Sequence, residues 1–269
     1  MKGRRPTPLR RRAGRPQLKR DPFGGTLAQV MLTAPRGVLF DFGDTLLREG
    51  PVNLEAGAAA VLALARDKAG CTPTQLAAAM TEVMNDLEPR RRTALLEPPP
   101  ATIGSLVYDP LGIVFDVQPE DVEWAFWSAA TAWDLEPHIN AAIEAVERAN
   151  IPWAVLSNTM FRGQTIERQL ALSGLRGSHR FVMASADYTL RKPHPRLFAI
   201  AAGRLGEPPR SLWFIGDSHE HDVRGSSAAG LVPFWYCPRG AVSAAAPAVQ
   251  IIGSWAAFPN LLAGALGKS

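Results

Sequence analysis

The sequence predicts an α/β protein: a Rossmann-like parallel sheet flanked by helices, with a small all-helical unit inserted after the first strand. Three observations predict it. Runs such as Val38-Leu39-Phe40 and Trp153-Ala-Val-Leu-Ser157 are continuously apolar instead of alternating, as strands buried on both faces of a parallel sheet are. From Ile151 onward such runs alternate with helix-length segments, the pattern of right-handed crossovers. Between the first run and the others, from about Asn53 to Ala149, the chain is rich in Ala, Leu and Glu and reads as mostly helical.

The first strand, Val38 to Phe40, stops at Asp41. In open α/β sheets ligands bind beyond the carboxyl ends of the strands, so a carboxylate there faces a crevice. In the insertion, Thr72-Pro73-Thr74-Gln75 has the cap, first-turn proline and back-reaching amide of a helix start. Pro98, Pro99 and Pro100 divide the insertion, and a second helical piece begins near Pro119-Glu120-Asp121, whose acids suit a helix amino terminus. The aromatic group Trp124, Phe126, Trp127 and Trp133 reads as helical core, part of it turned to a cleft. Beyond it, strands are expected at 153–157, 181–184, 212–216 and 232–236, with helices at 163–173, 195–205 and 221–229. The expected domains are a basic tail over 1–35, a core over 36–48 and 138–269, and the helical insertion over 49–137.

The chain of 269 residues is 46% hydrophobic, enough for a real core. Residues 1–20 hold nine of the 29 Lys and Arg and no acid, which leaves a body of 20 basic against 25 acidic residues. The pI of 9.4 therefore belongs to the tail. That tail, interrupted by Pro6, Pro8 and Pro16, is expected to be disordered. Nucleic-acid binding by it is not favoured, for it lacks the interleaved aromatics of a stacking surface, and it has no apolar face for a membrane. No apolar stretch approaches membrane-spanning length and no secretory signal opens the chain, so a cytoplasmic location is expected. Cys71 and Cys237 lie at no metal-ligand spacing and read as small buried hydrophobes.

Polar residues follow the ends of the later strands. Ser157-Asn158-Thr159 offers a hydroxyl and backbone N–H groups suited to phosphate oxygens. Lys192 in Arg191-Lys192-Pro193 carries a point charge suited to a phosphoryl group, on backbone kept extended by the proline. Asp217 and Asp222 sit five apart on a strand-to-helix turn after Gly216, a spacing that suits a hard divalent cation. His219 and His221 read as turn or helix residues, since oxygen ligands suffice for such a cation.

Asp41 with Thr45, Ser157, Lys192, and Asp217 with Asp222 occur in the order and on the strand ends of the haloacid dehalogenase-like hydrolase superfamily, which the chain resembles from about residue 36 to 237. The insertion resembles a helical cap domain of that family in position and character. The resemblance implies a hydrolase, a phosphatase in the first place, acting on a small phosphorylated metabolite with Mg²⁺. It implies that Asp41 is the nucleophile that forms an aspartyl-phosphate. Thr45, Ser157, Asn158 and Lys192 would bind the phosphoryl group. Asp41, the backbone carbonyl of Gly43, Asp217 and Asp222 would form the metal site.

One position departs from the family's pattern. Gly43 stands where a second Asp would act as general acid and base. A proton-transfer group contributes about 10²- to 10⁴-fold, so its loss implies a slow enzyme, one restricted to good leaving groups, or a substitute drawn from Asp44, His221 or the cap. Three other readings stay open. A dehalogenase would not need the metal carboxylates. A phosphonate-cleaving enzyme would need a cap lysine, for which only Lys68, within an expected helix, is available. The third is a non-catalytic binding protein.

Overall fold

The computed structural model describes residues 32–238, 240 and 249–267; the strongly basic segment lies outside them. The chain runs through β1 (Gly37–Phe40), β2 (Leu47–Glu49), α1 (Leu54–Leu64), β3 (Ala65–Asp67), α2 (Pro73–Ala94), α3 (Pro100–Tyr108), β4 (Val114–Phe115), α4 (Pro119–Ala130) and β5 (Trp133–Leu135). It continues with α5 (Ile139–Arg148), β6 (Trp153–Ser157), α6 (Gly163–Ser173), β7 (Val182–Ala184), α7 (Ser185–Tyr188), α8 (Pro195–Leu205) and β8 (Leu212–Gly216). A wide helical turn over His219–Arg224 leads to α9 (Gly225–Ala228), followed by β9 (Val232–Tyr236), β10 (Gln250–Ile252) and α10 (Phe258–Ala265).

Six strands form one sheet in the order β10-β9-β8-β1-β6-β7, every neighbouring pair parallel. β1 lies inside it, with Leu39 registered against Ala154 on one side and Phe214 on the other. Its four residues are all buried, which accounts for the unbroken apolar run. On one face Leu197, Phe198, Ala201 and Ala202 of α8 pack on Leu39, Leu156 and Phe214. On the other, Trp255 stacks on Tyr236 at 4.7 Å and Phe258 meets Trp213 edge-on. The strand runs expected from sequence at 153–157, 212–216 and 232–236 match β6, β8 and β9. β10 was not foreseen, since Gln250-Ile251-Ile252 is too short for a pattern to register.

The insertion has an apolar core of its own, built from Ala58, Val61, Leu62, Leu76, Val107 and Val122. Gly57 permits the α1–α4 approach: a Cβ there would come within 2.7 Å of the Phe126 ring. α2 begins with the expected capping box, Thr72 and Gln75 each bonding the other's backbone N–H, and the proline run separates α2 from α3. The all-helical expectation needs correction, because β3 pairs with β4 and β2 with β5 as small antiparallel ribbons. Ribbons of two or three residues lie below the length at which alternation is legible. Lys68 follows β3 in an exposed turn, not in a helix. Cys71 and Cys237 are free but only half-buried, a second correction. Among the described residues, no helix is long and apolar enough to cross a membrane.

Candidate functional site

Parallel pairing in register delivers the ends of β1, β6 and β8 to one edge, and with them Asp41, Ser157 and Asp217. The Asp41 backbone N–H continues the ladder by donating to Ile215 O at 2.9 Å. The chain then reverses at once: Leu46 and Leu47 N–H both donate to Phe42 O, and Asp44 adopts a left-handed φ of 51°. This turn carries Gly43 and leaves Thr45 fully buried, its hydroxyl without a hydrogen-bond partner among the described residues. Such an orphan is expected of a group that waits for a ligand.

Lys192 is 2% exposed and sits between two carboxylates. Its Nζ donates to Asp41 Oδ1 and to Asp222 Oδ1, each at 2.6 Å. Burial works against the ammonium, but Asp222 and Asp41 outweigh it and hold the Lys192 pKa above its ordinary value. The lysine is positioned from behind by Asn158, whose Oδ1 accepts the Lys192 N–H at 2.7 Å and whose Nδ2 donates to the Lys192 carbonyl at 3.0 Å. Both ends of the Asn158 carboxamide are thus committed to the Lys192 backbone. Ser157 remains on the cleft, nearly buried.

Asp222 reaches the site because Gly216 has no side chain: a Cβ at Gly216 would overlap the Asp222 carboxylate. Its Oδ2 accepts the Ser218 N–H at 2.9 Å, which leaves Oδ1 for Lys192. Asp217 is fixed by its backbone carbonyl, which accepts the Trp235 indole N–H at 2.7 Å. The carboxylates of Asp41, Asp217 and Asp222 bring oxygens within 4.8 Å of one another. Burial first, then the charges of Asp41 and Asp222, push the Asp217 pKa up to about 8. Three carboxylates converging in so small a space, all of them hard oxygen donors, fit Mg²⁺.

This arrangement gives a test in the metal-free protein. The folded Asp217 pKa lies above its unfolded value of 3.8, so its contribution to stability is complete below about pH 4 and is lost as pH rises through about 8. Melting temperature is expected to fall between about pH 5 and pH 8 less steeply in Asp217→Asn than in the parent. Equal slopes would show that Asp217 titrates normally.

These residues line a cleft of about 420 Å³. Its other wall comes from the insertion and contains residues that sequence reasoning missed: Glu49 and Arg91. Trp127 and Trp133, stacked at 4.9 Å and nearly parallel, supply the cleft-facing part of the aromatic group, while Phe126 packs in the insertion's core. Arg91 joins the two walls through Glu97, which has no solvent exposure, bonds Arg91 at 2.8 Å and accepts the Ser185 hydroxyl at 3.1 Å. Arg191 extends this network, its Nε 3.7 Å from Glu97. On α4, Glu123 accepts the Arg162 backbone N–H and pairs with its guanidinium at 2.9 Å. Of the two histidines, His219 lies against Trp235, but His221 borders the cleft, where burial lowers its pKa.

The match to the Thermus thermophilus phosphoserine phosphatase is 30% identical over 112 residues, 41% of this chain and 44% of that protein. The chain matches less than half the length of the curated relatives reported for it. In three dimensions it resembles a HAD phosphatase from Thermococcus onnurineus with a TM-score of 0.58 and 19% identity, covering 85% of this chain and 98% of that one. It also resembles the L-2-haloacid dehalogenase RSc1362, with a TM-score of 0.55 and 18% identity over 86% of this chain and 99% of the other. At these identities the structural likeness establishes the fold. The family model for haloacid dehalogenase-like hydrolases matches residues 35–230, from just before β1 to the turn that precedes β9, and the chain belongs to that family.

Proposed function

We propose that the protein is a Mg²⁺-dependent phosphatase that hydrolyses a small phosphorylated metabolite through an aspartyl-phosphate on Asp41. The observation that carries this reading is Lys192 Nζ, 2.6 Å from both Asp41 and Asp222, beside Asp217 at one sheet edge. A carboxylate is repelled by an anionic phosphate ester unless positive charge lies between them, and Lys192 supplies a buried one. Asp41 attacks phosphorus, Lys192 follows the charge onto the transferring oxygens, and the hydroxyls of Thr45 and Ser157 donate to them. When bound, Mg²⁺ supplies further charge neutralisation and polarises the phosphoryl oxygens. Asp41, Asp217 and the backbone carbonyl of Gly43 would hold it, while Asp222 anchors Lys192 and supports the metal site.

The insertion over 49–137 serves as the cap, closing the cleft with Trp127, Trp133 and Arg91 and excluding water. The dehalogenase reading would use Asp41 as its nucleophile but leaves the clustered carboxylates of Asp217 and Asp222 without a task. The phosphonate-cleaving reading loses its lysine, because Lys68 is not among the residues that line the cleft.

Turnover of an activated aryl phosphate and a panel of sugar and nucleotide phosphates is expected in Mg²⁺ and is expected to stop in EDTA. Failure to hydrolyse any ester in Mg²⁺ would overturn the reading. Binding is measurable without activity: at about a hundredfold over Kd, Mg²⁺ adds about 2.7 kcal/mol. For a domain of this size that raises the melting temperature by about 5–10 °C, and no rise would contradict the metal site.

A further inference from the structure

An ester oxygen leaving phosphorus needs a proton, and Gly43 has no group to give one. The space beside Gly43 is bounded by Trp133, whose ring an ideal Cβ at Gly43 would meet at 3.9 Å, an ordinary contact. In the β2–β5 ribbon Trp133 is registered directly opposite Glu49. Directly opposed residues of an antiparallel pair present their side chains on the same face, with Cβ atoms about 4.5–5.5 Å apart. The adjacent pair, Arg48 and Asp134, faces the other way and closes its own ion pair at 3.5 Å, and neither residue lines the cleft. Glu49, Trp133 and Gly43 all border the cleft that contains Asp41. From this geometry we propose that Glu49, carried on the ribbon that enters the insertion, is the general acid and base that serves in place of a carboxyl at position 43.

This inference rests on the phosphatase reading. In the first step a carboxylate oxygen of Asp41 bonds to phosphorus, the bond between phosphorus and the ester oxygen breaks, and the Glu49 carboxyl gives its proton to the departing alkoxide. In the second step the Glu49 carboxylate takes a proton from water as the water oxygen bonds to phosphorus. The acyl phosphate bond breaks, which frees inorganic phosphate and restores Asp41 and the protonated Glu49. Partial burial, helped by the nearby charge of Asp44, holds the Glu49 pKa above its ordinary value, in the direction an acid requires. Asp44 is the nearer residue in sequence and also borders the cleft, but its Oδ1 accepts the Glu49 backbone N–H at 3.4 Å, which commits one of its carboxylate oxygens to β2.

The test compares an activated aryl phosphate, whose leaving group needs no proton, with an unactivated alkyl phosphate, whose leaving group does. Glu49→Gln is expected to lower kcat/KM on the alkyl ester by about 10²- to 10⁴-fold and to lower it on the aryl ester at least about tenfold less. Adding Gly43→Asp to Glu49→Gln is expected to recover alkyl-ester turnover by at least about tenfold, since the new carboxyl enters the same space. Glu49 ends a short exposed strand, and melting curves of each variant report that the fold is kept. Alkyl-ester turnover within about threefold of the parent, or equal losses on both esters, would overturn the proposal. If the parent hydrolyses both esters and Asp41→Asn hydrolyses neither while Glu49→Gln matches the parent, this inference fails and the phosphatase reading stands. If the parent hydrolyses neither, both fall.

Discussion

Asp41→Asn is expected to abolish hydrolysis of every phosphate ester while the protein stays folded. The amide nearly matches the carboxylate in shape and keeps an acceptor oxygen for Lys192 Nζ, which retains its 2.6 Å contact with Asp222. It also removes one of the three carboxylate charges, those of Asp41, Asp222 and Asp44, that raise the Asp217 pKa, so the cluster is relieved as well as weakened. What it lacks is a nucleophile. Loss of a covalent catalyst that acts as part of a unit costs on the order of 10⁴- to 10⁶-fold. Steady-state turnover beside a melting curve checks this, and an active, folded Asp41→Asn would remove Asp41 from the chemistry.

Lys192→Met is expected to damage both stability and rate. The side chain is almost completely buried between Asp41 and Asp222. Removing one partner of a buried ion pair leaves the other uncompensated, at a cost of about 3–5 kcal/mol. For a domain of this size that corresponds to a fall of about 6–20 °C in melting temperature. The two carboxylates left behind are relieved by protonation, so the deficit is expected to shrink as pH falls through the carboxylate range. Turnover falls in addition by at least about 10²- to 10³-fold, the usual effect of deleting a donor aimed at developing charge. Denaturant unfolding at pH 7 and pH 4 separates the two effects, and a stable, active Lys192→Met would contradict the placement of Lys192 at the centre of the site.

The core side of the site was legible because its residues follow strands that are short, fully buried and therefore continuously apolar. Once β1, β6 and β8 are recognised, parallel pairing places Asp41, Ser157 and Asp217 at one edge without further information. Lys192 was legible as a charge before a proline, but its clamp by Asn158 was not, since a carboxamide 34 residues away gives no local sign that both its ends bond the Lys192 backbone. The insertion's wall was the least legible. Glu49 acquires meaning only through its register with Trp133, far along the chain, in a ribbon of three residues per strand. Glu97 lies beside a proline run that reads as a mere break, yet it is fully buried and bonds Arg91 and Ser185. Both are properties of chain segments distant in sequence, which local period and composition do not encode.

The account's central claim is that phosphorus passes through a covalent bond to Asp41. Rapid acid quench of the Mg²⁺-loaded protein during turnover of a phosphoryl-labelled ester, followed by peptide mapping, tests it directly. The expected result is a hydroxylamine-labile label on the peptide carrying Asp41, formed within the first turnover and absent from Asp41→Asn. Release of labelled phosphate at the full steady-state rate with no label on that peptide at any quench time would contradict it.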